Sequence, residues 1–574
     1  MLQVGRIKAA LIRLWAKAQQ AVEQNIGAIT LLYLLNVFTI VWHHLYLYQG
    51  QQLDVLAIYA VFLLAAVTLY SILLGLLPSR PLRRGLFYAS LFISALLGAL
   101  ECFSIYNYRA LVGAGIITAV LQTNPHEAGE FWQKYVGFTG VFLSAVFALV
   151  CVLLWRLVRH WRLSFPSRRL RSRLLPSFLA LGAGMGIWLL YSYQSFIVNA
   201  DLDVSFVRVS RSAQVALSNM RSYEELRTQA ATEPEITENR STVPYVVFIL
   251  GESTARKRLH LYGYPLDNTP NLDELGRQGE LAVFRDVIAP QGATAAVLRE
   301  LFTFADAENT KDGEGWYKHN NLVDIMGRAG YRTYWLSNQE SSGIWGSVSQ
   351  FFAERSEISR YTQLRESHEE SGRLDEELFP LVDEALAQGA GKNFYVLHLM
   401  GAHSLYYLRF PYIFTKFTAA DVPPPQDELS EDKRTEIAQY ENAIFYNDFV
   451  VSSLIGKFRD KEALVIYLPD HGEALYEHGS VSGHVEEAPN AEMLEVPLIF
   501  WGSPSFRERH PEKWAALQGA VERPYMTDDM IHTLLDILDI RTPEWEAGKS
   551  VVNEAFDAGR ARIVQGRDYR SLSR

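Results

Sequence analysis

The hydrophobic and polar positions divide this 574-residue chain into two unlike parts. In the first third, apolar residues run on with few polar interruptions, whereas short apolar runs alternate with mixed stretches beyond it. A helix needs roughly 20 mostly apolar residues to cross the hydrocarbon core of a bilayer. Five stretches meet that length: 27–47, 54–77, 85–105, 137–157 and 176–197. The pattern predicts a multi-pass α-helical membrane domain with five spans in residues 1–200.

The basic residues predict which way these spans run. Cytoplasmic loops of membrane proteins are rich in Lys and Arg. Here the basic residues gather before the first stretch and in the loops after the second and the fourth, whereas the other two loops hold only Arg109 and Lys134. Five spans then place the N-terminus in the cytoplasm and the C-terminal part on the opposite side. In a bacterium that side is the periplasm.

The remaining residues predict a linker and one α/β domain. Residues 201–242 are polar and helix-prone, which is typical of a linker helix and loop. From 243 to 574, strand-like apolar runs alternate with helical patterns, an arrangement that favours a largely parallel sheet covered on both faces. The runs lie at 244–250, 281–288, 331–337, 393–400, 463–469 and 495–501.

Chemically active side chains follow several of these runs. Glu252 follows the first, Thr294 the second, His403 the fourth, and Asp470 with His471 the fifth. Ligands of such sheets bind at the carboxyl ends of the strands. Carboxylates and imidazoles together suit Zn²⁺, and a metal beside a hydroxyl makes it a nucleophile. Taken singly, Glu252 and Thr294 could instead cap helices, but all of these residues fall on one predicted edge.

Charge and cysteine content narrow the function further. The formal net charge is -10, with Arg concentrated in the first third and acidic residues in the rest. The soluble part therefore lacks the basic stripe of a nucleic-acid-binding protein, and we expect no nucleic acid as partner. The two cysteines, Cys102 and Cys151, lie in apolar stretches and predict no disulfide framework.

Five motifs resemble those of a known family. They are Gly251-Glu252-Ser253-Thr254, Leu261-Tyr262-Gly263-Tyr264, Asn268-Thr269-Pro270-Asn271-Leu272, Met400-Gly401-Ala402-His403 and Asp470-His471-Gly472-Glu473. In this order, behind five spans, they resemble the bacterial phosphoethanolamine transferases. That resemblance implies an inner-membrane protein with a periplasmic α/β domain of the alkaline-phosphatase and sulfatase type.

The resemblance also implies the roles of individual residues. Zn²⁺ would be held by Glu252, Thr294, Asp470 and His471, with Thr294 as the nucleophile that carries the transferred group. His403 and His484 would line the phosphate side of the site or hold a second metal, and His478 is a weaker candidate than His484. In the long outer loop, Thr123 and Glu127 match positions that contact the ethanolamine-bearing lipid.

The segment around Thr294 points to one branch of this family. Residues 290–304 contain no cysteine, unlike many members that modify lipid A, so the chain resembles more closely the branch that acts on a heptose of the lipopolysaccharide core. The implied reaction moves phosphoethanolamine from phosphatidylethanolamine to lipopolysaccharide through a phospho-threonine, with core heptose favoured over lipid A. The alternatives are a phosphoglycerol transferase and a non-catalytic envelope scaffold. A sulfatase is disfavoured, because its nucleophile derives from Cys or Ser and Thr occupies this position.

Overall fold

The structure is a computed structural model that forms two compact units. It describes residues 53–77, 79–108, 111–123, 137–158, 233–310, 315–340, 348–363, 374–389 and 391–572, with shorter stretches between 12 and 42, between 128 and 132 and between 160 and 217. The first unit comprises Met1–Ala114 and Phe131–Val215, and the second comprises Gly115–Glu130 and Ala216–Arg574. The second unit thus takes in a short piece of the predicted outer loop. The predicted domain limits at 200 and 242 stay a prediction.

The first unit is made of long apolar helices. Two helices in its described residues have the length and hydropathy to cross a membrane, Asn25–Trp42 and Pro81–Asn107. The second of these belongs to the longer helix Arg80–Tyr108. The helices Leu53–Leu76 and Gly137–Val158 contain shorter apolar stretches. The predicted fifth span, 176–197, lies outside the described residues, so the count of five stays a prediction.

The helix Arg80–Tyr108 of the first unit presents an apolar face that none of the described residues covers. Phe92, Leu96 and Leu100 are exposed and follow one another at intervals of four residues. Side chains at that spacing share a helix face. An uncovered apolar face on a long helix is typical of contact with lipid rather than with water. This agrees with the membrane domain predicted from the hydropathy pattern.

A seven-stranded sheet forms the centre of the second unit. Its strands are β1 (Tyr245–Gly251), β2 (Leu281–Phe284), β3 (Tyr331–Glu340), β4 (Ile358–Gln363), β5 (Lys392–His398), β6 (Ala463–Pro469) and β7 (Leu498–Gly502). They lie in the order β2-β7-β6-β1-β5-β3-β4. Strand β7 runs antiparallel to both of its neighbours, and the pairs from β6 through β4 are all parallel. The largely parallel sheet predicted from the alternating runs is therefore confirmed, with two of its strands differing from the prediction.

Both faces of this sheet are buried, which explains why its strands are continuously apolar. Along β1, Val246, Phe248 and Leu250 belong to one core, while Val247 and Ile249 belong to the core on the opposite face. The first core includes side chains from the helices Thr294–Leu301, Leu322–Arg328, Val348–Arg355, Pro504–Arg509, Pro511–Gly519 and Met530–Ile537. The second includes side chains from Pro270–Arg277, Leu378–Gln388 and Glu431–Gly456.

Two strands differ from the sequence prediction. The run 281–288 is broken into β2 and a short strand, Val287–Ile288, which pairs with Tyr525–Met526 outside the main sheet. Strand β4 has no apolar run at all, since Ser359, Arg360 and Thr362 interrupt it. It lies at the edge of the sheet and pairs only with β3, and an edge strand does not need to be apolar throughout.

Candidate active site

The register of β1 and β6 brings two carboxylates together. Gly251 is paired with Pro469 at the ends of these parallel strands, so the next residues, Glu252 and Asp470, emerge side by side at the same edge of the sheet. Both are buried. Ser253 ties them together, because its backbone N–H donates to Asp470 Oδ1 at 3.3 Å and its hydroxyl donates to Glu252 Oε1 at 2.7 Å.

The hydroxyl of Thr294 lies close to Glu252 and His471. Its Oγ1 atom lies 3.3 Å from Glu252 Oε2 and 3.4 Å from His471 Nε2. Thr294 is the first residue of the helix Thr294–Leu301. The positive end of the helix dipole favours negative charge there, so the position suits a hydroxyl that reacts as an alkoxide.

Two histidines complete the cluster around Thr294. His471 Nε2 lies 3.4 Å from an oxygen of Glu252 and 3.4 Å from an oxygen of Asp470. Its Nδ1 lies 2.8 Å from the carbonyl oxygen of Gly472. A carbonyl can only accept, so Nδ1 carries the proton and Nε2 keeps its lone pair. The ring of His484 lies beside that of His471, with centroids 3.9 Å apart and the ring planes tilted by 41°.

Potential ligand atoms of Glu252, His471 and His484 all lie within 4.8 Å of one another. His478, the weaker candidate, instead pairs with Glu492, its Nε2 being 2.8 Å from Oε2 of that residue. The structure thus gathers Glu252, Thr294, Asp470, His471 and His484 in one place. Glu252, Thr294 and Asp470 lie far apart along the chain and meet at this edge of the sheet.

His403 approaches from the other side of β1. It follows β5, which pairs with β1, and its ring centroid lies 6.2 Å from that of His484. The turn that carries it is held against Glu252, because the Ala402 N–H donates to the Glu252 carbonyl at 3.1 Å. Gly401 has a φ of +52°, and a Cβ there would lie 2.6 Å from the same carbonyl oxygen. The close approach therefore requires glycine.

The structure adds site residues that the sequence prediction missed. Glu473 places Oε2 2.7 Å from His484 Nδ1, and its Oε1 accepts from the Tyr406 hydroxyl at 2.6 Å. Gln339 donates from Nε2 to Glu252 Oε2 at 3.3 Å. Both had a detectable signal. Glu473 directly follows Asp470-His471-Gly472, and Gln339 lies near the carboxyl end of β3, the edge at which the other residues meet.

The electrostatics of the site fit a divalent cation. Burial, together with the neighbouring Asp470, holds the pKa of Glu252 well above its ordinary value, and burial lowers the pKa of His471. Asp470 Oδ2 is buried without a hydrogen-bond partner among the described residues. Among the described residues, neither Glu252 nor Asp470 forms an ion pair with Lys or Arg. Two buried carboxylates without a cation are unfavourable, and carboxylate, imidazole and hydroxyl donors suit Zn²⁺.

The outer-loop candidates are only partly described. Thr123 belongs to the second unit, where its N–H and hydroxyl both donate to the Ala119 carbonyl. In the same segment, the Ile116 N–H donates to Glu487 Oε1 at 2.7 Å, three residues beyond His484 along the chain. Glu127 lies outside the described residues.

Comparison with known proteins reveals two family matches and a relative that aligns over most of the chain. Residues 244–540 match the sulfatase family model, and residues 65–200 match the model of the phosphoethanolamine transferases EptA and EptB. The phosphoethanolamine transferase EptC of Escherichia coli O18:K1:H7 is 27% identical over 487 residues, which are 81% of each chain.

Solved structures resemble the chain in both of its parts. The C-terminal periplasmic domain of Escherichia coli EptC, in complex with zinc, matches with a TM-score of 0.55 at 28% identity, over 60% of this chain and 98% of that one. The integral membrane protein EptA of Neisseria meningitidis matches with a TM-score of 0.65 at 21% identity, over 91% of this chain and 97% of that one. The second match covers most of the chain, so the likeness in fold extends to the apolar N-terminal helices as well as to the sheet-containing part.

The sulfatase model accounts for more than half of the 574 residues and includes every strand of the central sheet. It also spans Glu252, Thr294, His403, Asp470, His471 and His484. This protein therefore belongs to the sulfatase family.

Proposed function

We propose that this protein is a phosphoethanolamine transferase that moves phosphoethanolamine from phosphatidylethanolamine to lipopolysaccharide. The observation that carries the proposal is the Thr294 hydroxyl, which lies at a helix N-terminus within 3.4 Å of both Glu252 and His471. The N-terminal match to the EptA and EptB model and the long match to EptC support the transferred group. A sulfatase reaction is disfavoured by the same hydroxyl, because it belongs to threonine.

Glu252, Thr294, Asp470 and His471 would hold Zn²⁺, and a second ion, where one binds, would use His403 and His484. The zinc complex of the related EptC domain supports this choice of metal. When bound, the ion lowers the pKa of the threonine hydroxyl and offsets negative charge on the phosphoryl oxygens. The donors best prepared for it are the lone pair on His471 Nε2 and Asp470 Oδ2, which accepts no hydrogen bond from the described residues.

The residues of the chain account for both halves of the transfer. Thr294 reacts as the alkoxide, its proton having been released to solvent; Oγ attacks the donor phosphorus, the Oγ–P bond forms, and the bond to the diacylglycerol oxygen breaks. Protonated His484, held by Glu473, or His403, where no second ion is bound, gives the leaving oxygen its proton. In the second half the acceptor hydroxyl gives its proton to the same histidine as it attacks the phospho-threonine, the Oγ–P bond breaks, and Thr294 returns to the alkoxide. Placing both halves at one hydroxyl means that the two substrates need not bind together.

Recognition of the two lipids follows from the proposed topology. In a bacterial inner-membrane protein with a cytoplasmic N-terminus and five spans, the site lies in the periplasm, where lipid donor and acceptor are both within reach. Thr123 and Glu127 would contact the donor, since a carboxylate suits an ammonium head group. The cysteine-free segment 290–304 favours core heptose over lipid A as the acceptor.

Head-group labelling tests the proposal directly. The purified full-length protein is incubated with phosphatidylethanolamine labelled in its ethanolamine, and protein-bound label is measured. We expect label on the wild type, reduced label on Thr294→Ser and none on Thr294→Ala, and the zinc content and melting temperature of each variant are measured alongside. Label on Thr294→Ala would show that another group is the nucleophile.

Two further measurements separate the alternatives. Labelled phosphatidylglycerol identifies a phosphoglycerol transferase if it labels the protein in place of phosphatidylethanolamine. A protein that takes up neither label and binds no metal would be the non-catalytic scaffold. Mass spectrometry of lipopolysaccharide from cells with and without this protein then distinguishes core heptose from lipid A, because each modification adds its mass to a different fragment.

A further inference from the structure

The segment that follows β5 ends in two highly exposed apolar side chains. Tyr412 is 91% exposed and its neighbour Ile413 is 86% exposed. No other large apolar side chain among the described residues of the second unit is exposed to that extent. Single exposed apolar residues are common, but adjacent ones that stand fully in solvent mark contact surfaces. We refer to residues 411–414 as the Tyr412 tip.

The Tyr412 tip is held firmly from below. Phe414 packs its ring against Phe445, Tyr446 and Phe449 of the long helix Glu431–Gly456, with centroids 4.9–5.7 Å apart. Backbone hydrogen bonds from Phe414 to Pro411 and from Thr415 to Tyr412 close the turn. Because the base of the turn is packed and hydrogen-bonded, the outward position of Tyr412 and Ile413 is a fixed feature of the surface.

The same segment is tied to the active site. Arg409 is buried, and it donates from Nε to the His403 carbonyl at 3.2 Å and from Nη2 to the Ser404 carbonyl at 2.8 Å. Tyr406, between them, donates its hydroxyl to Glu473. The Tyr412 tip and His403 therefore belong to one packed segment. Binding at the tip would also position the loop that carries His403.

The charge of this segment indicates what the tip contacts. The 22 residues from 399 to 420 contain no Asp or Glu, although the chain as a whole carries a net charge of -10. Lys416, which follows the tip, is partly exposed and pairs with Asp267 at 3.0 Å, whereas Arg409 is buried beneath the tip's own segment. Tyrosine and aliphatic side chains beside basic residues suit the boundary between lipid head groups and acyl chains. The apolar helices of the first unit can cross a membrane, so the second unit is tethered within reach of one.

We propose that the Tyr412 tip inserts into the lipid surface and holds the His403 loop against the bilayer. Tyr412 and Ile413 enter the head-group region, and the partly exposed Lys416 lies at the level of the lipid phosphates. The tip is then a membrane contact of the second unit itself, separate from the spanning helices. This statement does not depend on the proposed transferase activity.

A depth measurement on the full-length protein tests it. The sequence contains only Cys102 and Cys151, so a Cys102→Ala/Cys151→Ala background allows a single label. Ile413→Cys carries an environment-sensitive fluorophore, and Tyr317→Cys is the matched control. Tyr317 is an exposed aromatic residue next to Trp316, which belongs to the core on the other face of the sheet from the core under Phe414. Each protein is placed as a single copy in nanodiscs of phosphatidylethanolamine and phosphatidylglycerol.

The two quenchers give opposite expectations. A nitroxide carried by the lipid should quench position 413 several-fold more than position 317, and aqueous iodide should do the reverse. If iodide quenches position 413 as strongly as position 317, the tip stands in water and the proposal is wrong. If neither quencher reaches position 413, protein rather than lipid covers the tip, which also overturns it.

A second arm connects the tip to catalysis and does rest on the proposed function. Tyr412→Ser/Ile413→Ser should label several-fold more slowly than the wild type with phosphatidylethanolamine in nanodiscs, and at the wild-type rate with a short-chain, water-soluble phosphatidylethanolamine. Equal rates with the bilayer donor would contradict the inference. If even the wild type takes no label, the proposed function fails while the quenching result still decides the position of the tip.

Discussion

The carboxylate of Glu473 forms a hydrogen bond with the imidazole ring of His484. Its Oε2 lies 2.7 Å from His484 Nδ1, and its Oε1 accepts a hydrogen bond from Tyr406. Glu473 is fully buried. The carboxylate fixes which ring nitrogen of His484 remains for the site, and it stabilises the ring when the ring is protonated. Partners of this kind orient metal-binding and proton-transferring histidines in many enzymes.

Glu473→Gln should slow transfer while leaving the protein folded. The amide keeps the shape of the side chain but loses the charge that supports protonated His484, and we expect the labelling rate to fall by about 10–100-fold. Single-turnover labelling with head-group-labelled phosphatidylethanolamine measures it. Tyr406→Phe removes only the more distant hydrogen bond and should lose less. Equal rates for wild type and Glu473→Gln would contradict the orienting role.

Asp470→Asn should release zinc. An asparagine oxygen is a weak ligand for Zn²⁺, so bound metal should fall by at least about tenfold, as measured by elemental analysis after dialysis. The control is His478→Ala, which removes an imidazole whose Nε2 lies 2.8 Å from Glu492 and outside the cluster. Zinc should stay in that variant. Loss of zinc from His478→Ala but not from Asp470→Asn would place the metal elsewhere.

Glu300→Gln should flatten the pH dependence of stability. Burial and the neighbouring Asp528 raise the pKa of Glu300 from 4.5 to about 8, and its Oε2 is buried without a partner among the described residues. Between these values the folded state keeps a proton that the unfolded state releases. The free energy of unfolding of the wild type therefore falls as the pH rises through that window.

Glutamine has no such proton to lose. Between about pH 5 and about pH 9, the variant should gain on the order of 1–3 kcal/mol relative to the wild type, because it leaves no charge buried. Melting temperatures at the two pH values provide the measurement. Glu508→Gln, which changes an exposed carboxylate, serves as the control and should leave the pH profile of the wild type unchanged. Parallel profiles for Glu300→Gln and the wild type would refute the assignment.

Glu487→Ala should weaken use of the lipid donor. Glu487 accepts from the Ile116 N–H at 2.7 Å, near the start of the helix Ala114–Gln122. Loss of a carboxylate at a helix N-terminus costs about 1 kcal/mol. We expect a higher KM for phosphatidylethanolamine with little change in kcat. Glu486→Ala is the matched control, since Glu486 approaches Arg299 instead. An unchanged KM for phosphatidylethanolamine would show that the helix Ala114–Gln122 takes no part in donor binding.

The site residues at strand ends could be predicted from sequence for a physical reason. Parallel strands end at one edge, so residues that directly follow apolar runs meet there whatever the distance between them along the chain. Glu252, His403 and Asp470 are of this kind, and the structure brings them to that edge. Their assigned roles as metal ligands and substrate contacts remain predictions.

Other features depend on contacts that no local pattern contains. The hydrogen bond from Gln339 to Glu252 requires β3 to lie beyond β5, and the sequence does not specify strand order. The pairing of Tyr406 with Glu473 joins residues 67 positions apart. Strand β4 could not be predicted from the sequence because an edge strand carries polar side chains at positions that are apolar in a central strand. Each of these three features depends on pairing between separate parts of the chain rather than on local composition.

The location of the two cysteines bears on how the protein matures. Both Cys102 and Cys151 belong to the first unit, and the sequence of the second unit contains no cysteine at any position. The covalent structure of the second unit is consequently the same in reducing and oxidising surroundings. Folding of the second unit therefore requires no enzyme that forms disulfide bonds. Loss of such enzymes from the host should leave its folding unchanged.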